Sequence, residues 1–347
     1  TKEVVYVLER QGFIRPHMAD ENDKRTIYMV DMHEPLMFLH NLDTTIKEPF
    51  ASNPAVLDAV EKNHKKLQIT MTKLYPGNLV LSLSSGIMYH RLVDRITALN
   101  DVPREPLVPR RLGKNMCVPF GKILRGKVVP NTVTKTLHTD KVYEPDLNSF
   151  TIEPFPYYSP LKSQIETIKS FDRPVILVDD LVHTANRLQV LVPQLREDGI
   201  PIKKVVVGVL SGYGRDLMQC LKVPVESIYS MPNLRQWFVE STLYPFIGGD
   251  TVRREEMKVA GLQPSINMIL PYATPRLSGC SREALVEFSA CCIENSRDLF
   301  QVLEAEYRKM YAKNLTLSRL SEAVILPLCP DKGSCMEYDE NLAASVY

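Results

Sequence analysis

The residues best suited to chemistry lie in one stretch, Arg173 to Leu188, which reads RPVILVDDLVHTANRL. Four apolar residues run directly into Asp179 and Asp180. An apolar run bounded in this way predicts a buried strand. Two carboxylates at its carboxyl end can accept hydrogen bonds from sugar hydroxyls or help to hold a hydrated Mg2+. In an open parallel sheet, ligands bind beyond the carboxyl ends of the strands. The next residues, His183–Thr184–Ala185–Asn186–Arg187, predict a turn into a helix, where free backbone N–H groups attract phosphate. Thr184 and Asn186 add side-chain donors, and Arg187 can add a bidentate one. Acids suited to a ribose and a cradle suited to its phosphate thus fall within nine residues. His183 titrates near neutrality in its ordinary state and can move a proton. The plain alternatives are a strand-end acid pair and an ordinary loop histidine.

The elements around this stretch follow from apolar periodicity. Asn53 as N-cap and Pro54 at the first helical position start a helix whose Val56, Val60, Leu67, Met71 and Leu74 share one face, and Pro76–Gly77 stops it. NLVLSLSSG predicts a strand and turn, and IMYHRLVDRITAL a helix. Leu188, Leu191 and Leu195 predict a helix after PVILV, which Pro193 should kink or divide. KKVVVGVL is a second unbroken apolar strand, so strand, helix and strand imply a parallel sheet covered on both faces. Residues 101–145 carry nine Lys and Arg against four acids, and NTVTKTLHTDK within them predicts a mobile hairpin or loop. After Asp250 a strongly helical segment carries Leu285, Phe288, Cys292, Leu299, Leu303 and Met310 on one stripe. Arg235, Trp237 and Phe238 predict packing, and FIGGD (Phe246–Asp250) a tight structural turn.

VILVDDLVHTANRL resembles the phosphoribosyl-pyrophosphate motif of type I phosphoribosyltransferases. That motif has four apolar residues, two acids, two apolar residues, a variable residue and a Thr-led phosphate loop. By position, the resemblance implies that Asp179 and Asp180 bind ribose and that Thr184, Ala185, Asn186 and Arg187 hold the 5′-phosphate. His183 falls at the variable position. LVLSLSSGIMYHRLVDRI is similar to the family's first strand, pyrophosphate loop and helix, with Ser84, Ser85 and Gly86 as the loop. LRGKVVPNTVTKTLHTDK lies where the family keeps a flexible catalytic loop, and YSMPNLRQWF where a base-covering segment is expected. The implied reaction is Mg2+-dependent displacement of pyrophosphate from the ribose C1 by a nitrogen nucleophile. Lys135, His138 and Lys141 would then stabilise charge on the leaving group, with His183 moving a proton at the base. Asp179 and Asp180 would be the metal-binding acids, through water. Two residues depart from the pattern: Ala185 stands for the first loop Gly and Arg187 for the closing Thr. Ala is expected there only with a negative φ, and Arg187 either supplies charge or fills the pocket.

VVYVLERQGFIRP and RTIYMVDM also resemble the last helix and two strands of a GNAT-type acetyltransferase, with Tyr6 and Gly12–Phe13 carrying the pattern. The acetyl-CoA loop of that family would lie upstream, so the chain is expected to be the later part of a multidomain polypeptide.

Composition narrows the classes. The chain has 347 residues, 44% hydrophobic residues and a net charge of +1. That charge argues against non-specific nucleic-acid binding by the whole protein, and no specific nucleic-acid binding is expected. No apolar run approaches the roughly 20 residues that cross a bilayer, and no signal peptide is visible. Seven irregularly spaced cysteines fit reduced thiols and a cytoplasmic setting better than a disulfide framework. Cys329 and Cys335 lack the spacing and partners of a zinc site. The expected protein is α/β, with a parallel-sheet, phosphoribosyltransferase-like core over 51–250 and helices on both faces. A GNAT-like remnant over 1–50 precedes it and a mainly helical extension over 251–347 follows. Its expected ligand is a phosphorylated ribose or nucleotide, with homo-oligomers and upstream domains as further partners. The expected activity is phosphoribosyl transfer; the alternative is a non-catalytic sensing or scaffold domain.

Overall fold

The computed structural model describes residues 14–18, 26–30, 34–109, 111–124, 127–270, 272, 277, 279–331 and 337–347. Along the chain run β1 (Ile14–Met18), β2 (Thr26–Val30), β3 (Leu36–His40), α1 (Pro54–Leu74), β4 (Val80–Ser84) and α2 (Ser85–Leu99). β5 (Met116–Pro119), β6 (Val133–Thr134), β7 (Thr139–Tyr143), β8 (Phe150–Pro154), α3 (Leu161–Lys169) and β9 (Val175–Val182) follow. Next come α4 (Asn186–Glu197), β10 (Ile202–Ser211), α5 (Gly212–Cys220), β11 (Val225–Met231), β12 (Gln236–Val239) and α6 (Glu240–Leu243). The chain continues through β13 (Asp250–Val252), β14 (Gln263–Ile266), α7 (Arg282–Tyr311) and β15 (Leu328–Pro330). Contacts group these elements into two interleaved units: residues 1–35, 85–140 and 152–235 form one, and 36–84, 141–151 and 236–347 the other.

The first unit holds a seven-stranded sheet in the order β1-β2-β11-β10-β9-β5-β6. β1 and β2 pair antiparallel, and every other neighbouring pair is parallel. One face packs Val175, Leu177, Val205 and Val207 against Ile165 and Ile168 of α3 and Leu188, Leu191 and Leu195 of α4. On the other face Gly208 lies against Met88 of α2, so closely that a Cβ there would collide with its side chain. The parallel α/β architecture with helices on both faces is therefore present. Pro193 sits inside α4 without dividing it. The helix expected within VVYVLERQGFIRP, with Tyr6 and Gly12–Phe13, lies outside the described residues.

The second unit contains a three-stranded parallel sheet, β12-β3-β4, and strands of a five-stranded sheet ordered β15-β14-β13-β7-β8. Asn53 caps α1 by accepting from the amides of Ala55 and Val56, with Pro54 at the first position. Val56, Leu67, Met71 and Leu74 are buried as the periodicity predicts. α1 packs along α7, where Asn63 and Asn295 each donate a side-chain amide to the other's backbone carbonyl, at 2.8 and 3.1 Å. On α7 the stripe Phe288, Cys292, Leu299 and Leu303 is buried, but Met310 is exposed and Tyr307 takes the last core position. The C-terminal region is thus helical as expected, and it also contributes β13, β14 and β15. Among the described residues, no helix is long and apolar enough to cross a membrane.

Candidate functional site

Asp179 and Asp180 lie within the last half of β9, not beyond it, because pairing with β10 continues through Val182. Alternation along the strand separates them. Asp179 shares its face with Leu177 and turns toward α4, where its carboxylate stands 4.0 Å from the guanidinium of Arg187. It is 4% exposed. Space for it comes from Gly121, two residues past β5, where any Cβ would overlap the carboxylate. Asp179 accepts the amide of Asp180 at 2.8 Å. Burial, and then the neighbouring Asp180, push its carboxyl well above the ordinary range, and Arg187 offsets only part of this. At 4.0 Å the guanidinium is too far for a hydrogen bond. Asp180 is half-buried and accepts the amide of Leu181 at 2.9 Å.

Beyond β9 the chain turns at His183–Ala185. His183 Nδ1 is 2.8 Å from the hydroxyl of Ser211, the last residue of β10. Ser211 also caps α5 by accepting the Gly214 amide at 2.9 Å. The imidazole is half-buried, and that burial lowers its pKa. Thr184 Oγ1 accepts from the Asn186 side chain at 2.9 Å. Ala185 precedes α4 with φ 50° and ψ 20°. The expectation of a negative φ is therefore wrong: Ala185 adopts a left-handed conformation that Gly takes without strain, at a cost of about 1–2 kcal/mol. The start of α4 has no side-chain cap, so its first amides are left to a ligand or solvent. Arg187 Nε is buried without a hydrogen-bond partner.

The other predicted residues are placed differently. Ser84 ends β4 and Ser85 begins α2 with no residue between, so the expected Ser84–Ser85–Gly86 loop is a direct strand-to-helix junction, with Ser85 buried. The expected mobile hairpin is built into the sheets. β6 pairs with β5, and Thr132, Leu137 and Thr139 are buried. Polar residues can pack there because their hydroxyls are used: Thr139 donates to the Phe120 carbonyl, and Thr132 accepts from Asn100. Lys135 is exposed beside β5, its amide bonded to the Cys117 carbonyl. His138 stacks on Tyr158 at 3.8 Å, and its backbone is held by the Gln164 side chain at 2.7 and 3.2 Å. Lys141 lies in the other unit, 2.6 Å from the Tyr143 hydroxyl and 3.6 Å from Asp250. Elsewhere in the basic segment, Arg104 pairs with Asp94 at 3.0 Å and Lys127 lies over the Tyr89 ring.

Arg235 pairs with Glu34 at 3.1 Å, and the buried Phe238 packs against Phe288. Gly249, at φ 128°, lies against the Ile266 carbonyl, as a structural turn requires. Cys329 is buried and its thiol is pushed up to about 12 by burial and then by Asp331; Cys335 lies outside the described residues.

Sequence reasoning missed a cluster in the second unit: His40, His64 and Glu240. His40 and Glu240 are 200 residues apart, so no local spacing joins them. The available signal was weaker: two histidines and one acid at the ends or on the inner faces of apolar elements.

No known protein family's profile matches this chain, and no curated protein matches it. Solved structures to which the chain is similar include two phosphoribosyltransferases. A purine phosphoribosyltransferase from Pyrococcus horikoshii Ot3 is 11% identical, with 44% of this chain and 86% of that one covered and a TM-score of 0.26. A hypoxanthine phosphoribosyltransferase from Trypanosoma cruzi is 14% identical, with 50% and 80% covered and a TM-score of 0.25. Likeness at that level carries no argument about function, which must come from the site.

Proposed function

We propose that the rim formed by the end of β9 and the start of α4 binds the ribose 5-phosphate group of a nucleotide or of phosphoribosyl pyrophosphate. One observation carries this reading: a half-buried carboxylate, Asp180, precedes by five residues a left-handed turn at Ala185 that opens an uncapped helix. The acid is suited to ribose hydroxyls, and the turn and helix amides to phosphate. Arg187 adds a cation whose Nε lacks a partner and whose nearest carboxylate is 4.0 Å away, so a phosphate can recruit it without breaking a strong bond. Asp179, buried and held toward its neutral form, positions the turn and is not a ribose ligand. The donor set fits Mg2+ only jointly with the ligand: one accessible carboxylate, with phosphate oxygens and waters completing the shell. When bound, that ion would neutralise phosphate charge.

Binding without turnover is the better supported form of this function. Two of the three residues expected to close over pyrophosphate are engaged elsewhere, His138 with Tyr158 and Gln164 and Lys141 with Tyr143 and Asp250. The strand-to-helix junction at Ser84–Ser85 provides no pyrophosphate loop. Phosphoribosyl transfer remains the second reading because His183 is held deprotonated by burial and oriented by Ser211, as a base-facing proton acceptor must be. Calorimetric titration of phosphoribosyl pyrophosphate and nucleoside monophosphates, with and without Mg2+, tests the site. Magnesium-enhanced binding with no pyrophosphate release across a panel of nucleobases is the expected result. Release with any base would establish transfer, and no binding of either ligand class would end the ribosyl reading.

A further inference from the structure

The second unit brings together three side chains that the ribose-phosphate reading does not use. β3 and β12 run parallel, with Leu39 opposite Val239. The next residue of each strand's path, His40 and Glu240, therefore emerges side by side. α1 supplies His64 from a third direction. His40 Nδ1 is 3.1 Å and His64 Nε2 2.7 Å from the same oxygen of Glu240, Oε2. The two imidazole rings are 3.9 Å apart, centre to centre. Glu240 is fully buried, whereas the His40 and His64 side chains are 12% and 24% exposed.

We propose that His40, His64 and Glu240 form a binding site for a divalent transition-metal ion, with Zn2+ the ion that best fits their donors. Zn2+ takes nitrogen and oxygen ligands at about 2.0–2.2 Å, so tetrahedral ligand atoms stand roughly 3.3 Å apart. The separations of 3.1 and 2.7 Å need only a few tenths of an ångström of opening. Two imidazoles and one carboxylate suit Zn2+ or Fe2+ and disfavour Mg2+ and Ca2+, which prefer oxygen ligands.

A purely hydrogen-bonded cluster explains less. His64 Nε2 is buried and makes no hydrogen bond, although Oε2 is 2.7 Å away. At that separation the missing bond means that the ring nitrogen is not aligned with the oxygen as a hydrogen bond requires. The surrounding residues also hold the donors in place. The Tyr244 hydroxyl donates to the other carboxylate oxygen of Glu240 at 3.0 Å, and Asn295 in turn donates to Tyr244 at 3.1 Å. The Gln68 amide lies 3.2 Å from His40 Nε2. Turned with its oxygen toward the ring, it would accept Nε2–H and leave Nδ1 as the ligand atom. Partial exposure of both imidazoles gives the ion a route in and a solvent molecule as fourth ligand.

The test uses the full chain freed of metal by chelation. Zn2+ and Mg2+ are titrated by calorimetry, and Co2+ by visible absorption, into wild type, His40→Ala and His64→Ala. One equivalent of Zn2+ should bind, with Mg2+ giving no heat. Co2+ should develop visible bands without a thiolate charge-transfer band, which separates this site from ligation by the exposed Cys220. Each variant should lose affinity at least about 10-fold. Absence of stoichiometric Zn2+ binding to wild type, a thiolate band with Co2+, or full affinity in both variants would overturn the proposal. Should a variant fail to fold, the wild-type Co2+ spectrum decides.

Discussion

Asp179 and Glu240 are both almost wholly removed from solvent, at 4% and 0% exposure, yet their surroundings shift the two carboxyls in opposite directions. Asp179 has a second acid next to it and its cation 4.0 Å away, so burial and Asp180 push its carboxyl up. Burial raises Glu240 too, but the hydrogen bond with His40 and the close approach of His64 outweigh it and hold the group below the ordinary range. Partner distance, not depth, decides whether a buried carboxylate keeps its charge. In the first unit the accessible acid is consequently Asp180, while in the second the buried acid itself is the anionic centre.

The largest effect should come from breaking the better-paired centre. Glu240→Ala leaves His40 and the Tyr244 hydroxyl without their acceptor, removes the charge facing His64, and should destabilise the protein by about 3–5 kcal/mol in denaturant unfolding. A loss similar to that of an ordinary surface substitution would remove the contrast. Next, Asp180→Asn should weaken binding of a ribose 5-phosphate ligand by about 1–3 kcal/mol, read by calorimetry, through loss of a charged acceptor. Unchanged affinity would take Asp180 out of the site.

Asp179→Asn should act in the opposite sense on stability. Its native pKa lies above the unfolded value of 3.8, so its favourable contribution is present below that pH and is lost as pH rises through the native pKa. The Asn variant, which keeps the acceptor for the Asp180 amide, should be more stable than wild type by about 1 kcal/mol at pH 7. Thermal melts at several pH values should show that gain fading on acidification. A loss at pH 7 would mean that Arg187 is a true ion-pair partner. The smallest effect is expected for Ala185→Gly, which relieves the left-handed strain and should stabilise by about 1 kcal/mol or less once glycine's greater unfolded-state freedom is counted. Phosphate affinity should survive, since the backbone shape is retained.

The same two centres mark what the sequence discloses. The β9–α4 segment was legible because its chemistry is contiguous: apolar strand, acids, turn and helix follow one another within sixteen residues, 173–188. α1 was legible for a similar reason, since Asn53 and Pro54 write its start locally. The sign of φ at Ala185 was not, because nothing in an alanine side chain selects the left-handed region; the packing around the turn imposes it. The burial of Thr132 and Thr139 was hidden because a hydroxyl's tolerance of the interior depends on an acceptor or donor from a distant strand. The His40–His64–Glu240 cluster was out of reach altogether. It exists only because β3 and β12 pair in parallel across 200 residues of chain, after the chain has left their unit and returned to it twice.

The most direct test of the central claim is a crystal structure of the protein soaked with ribose 5-phosphate and Mg2+. The phosphate should lie against the backbone amides that open α4, from Asn186 to Leu188, with Arg187 turned toward it and Asp180 at the ribose hydroxyls. Phosphate bound at the Lys and Arg of residues 101–145, with the start of α4 left untouched, would contradict the account.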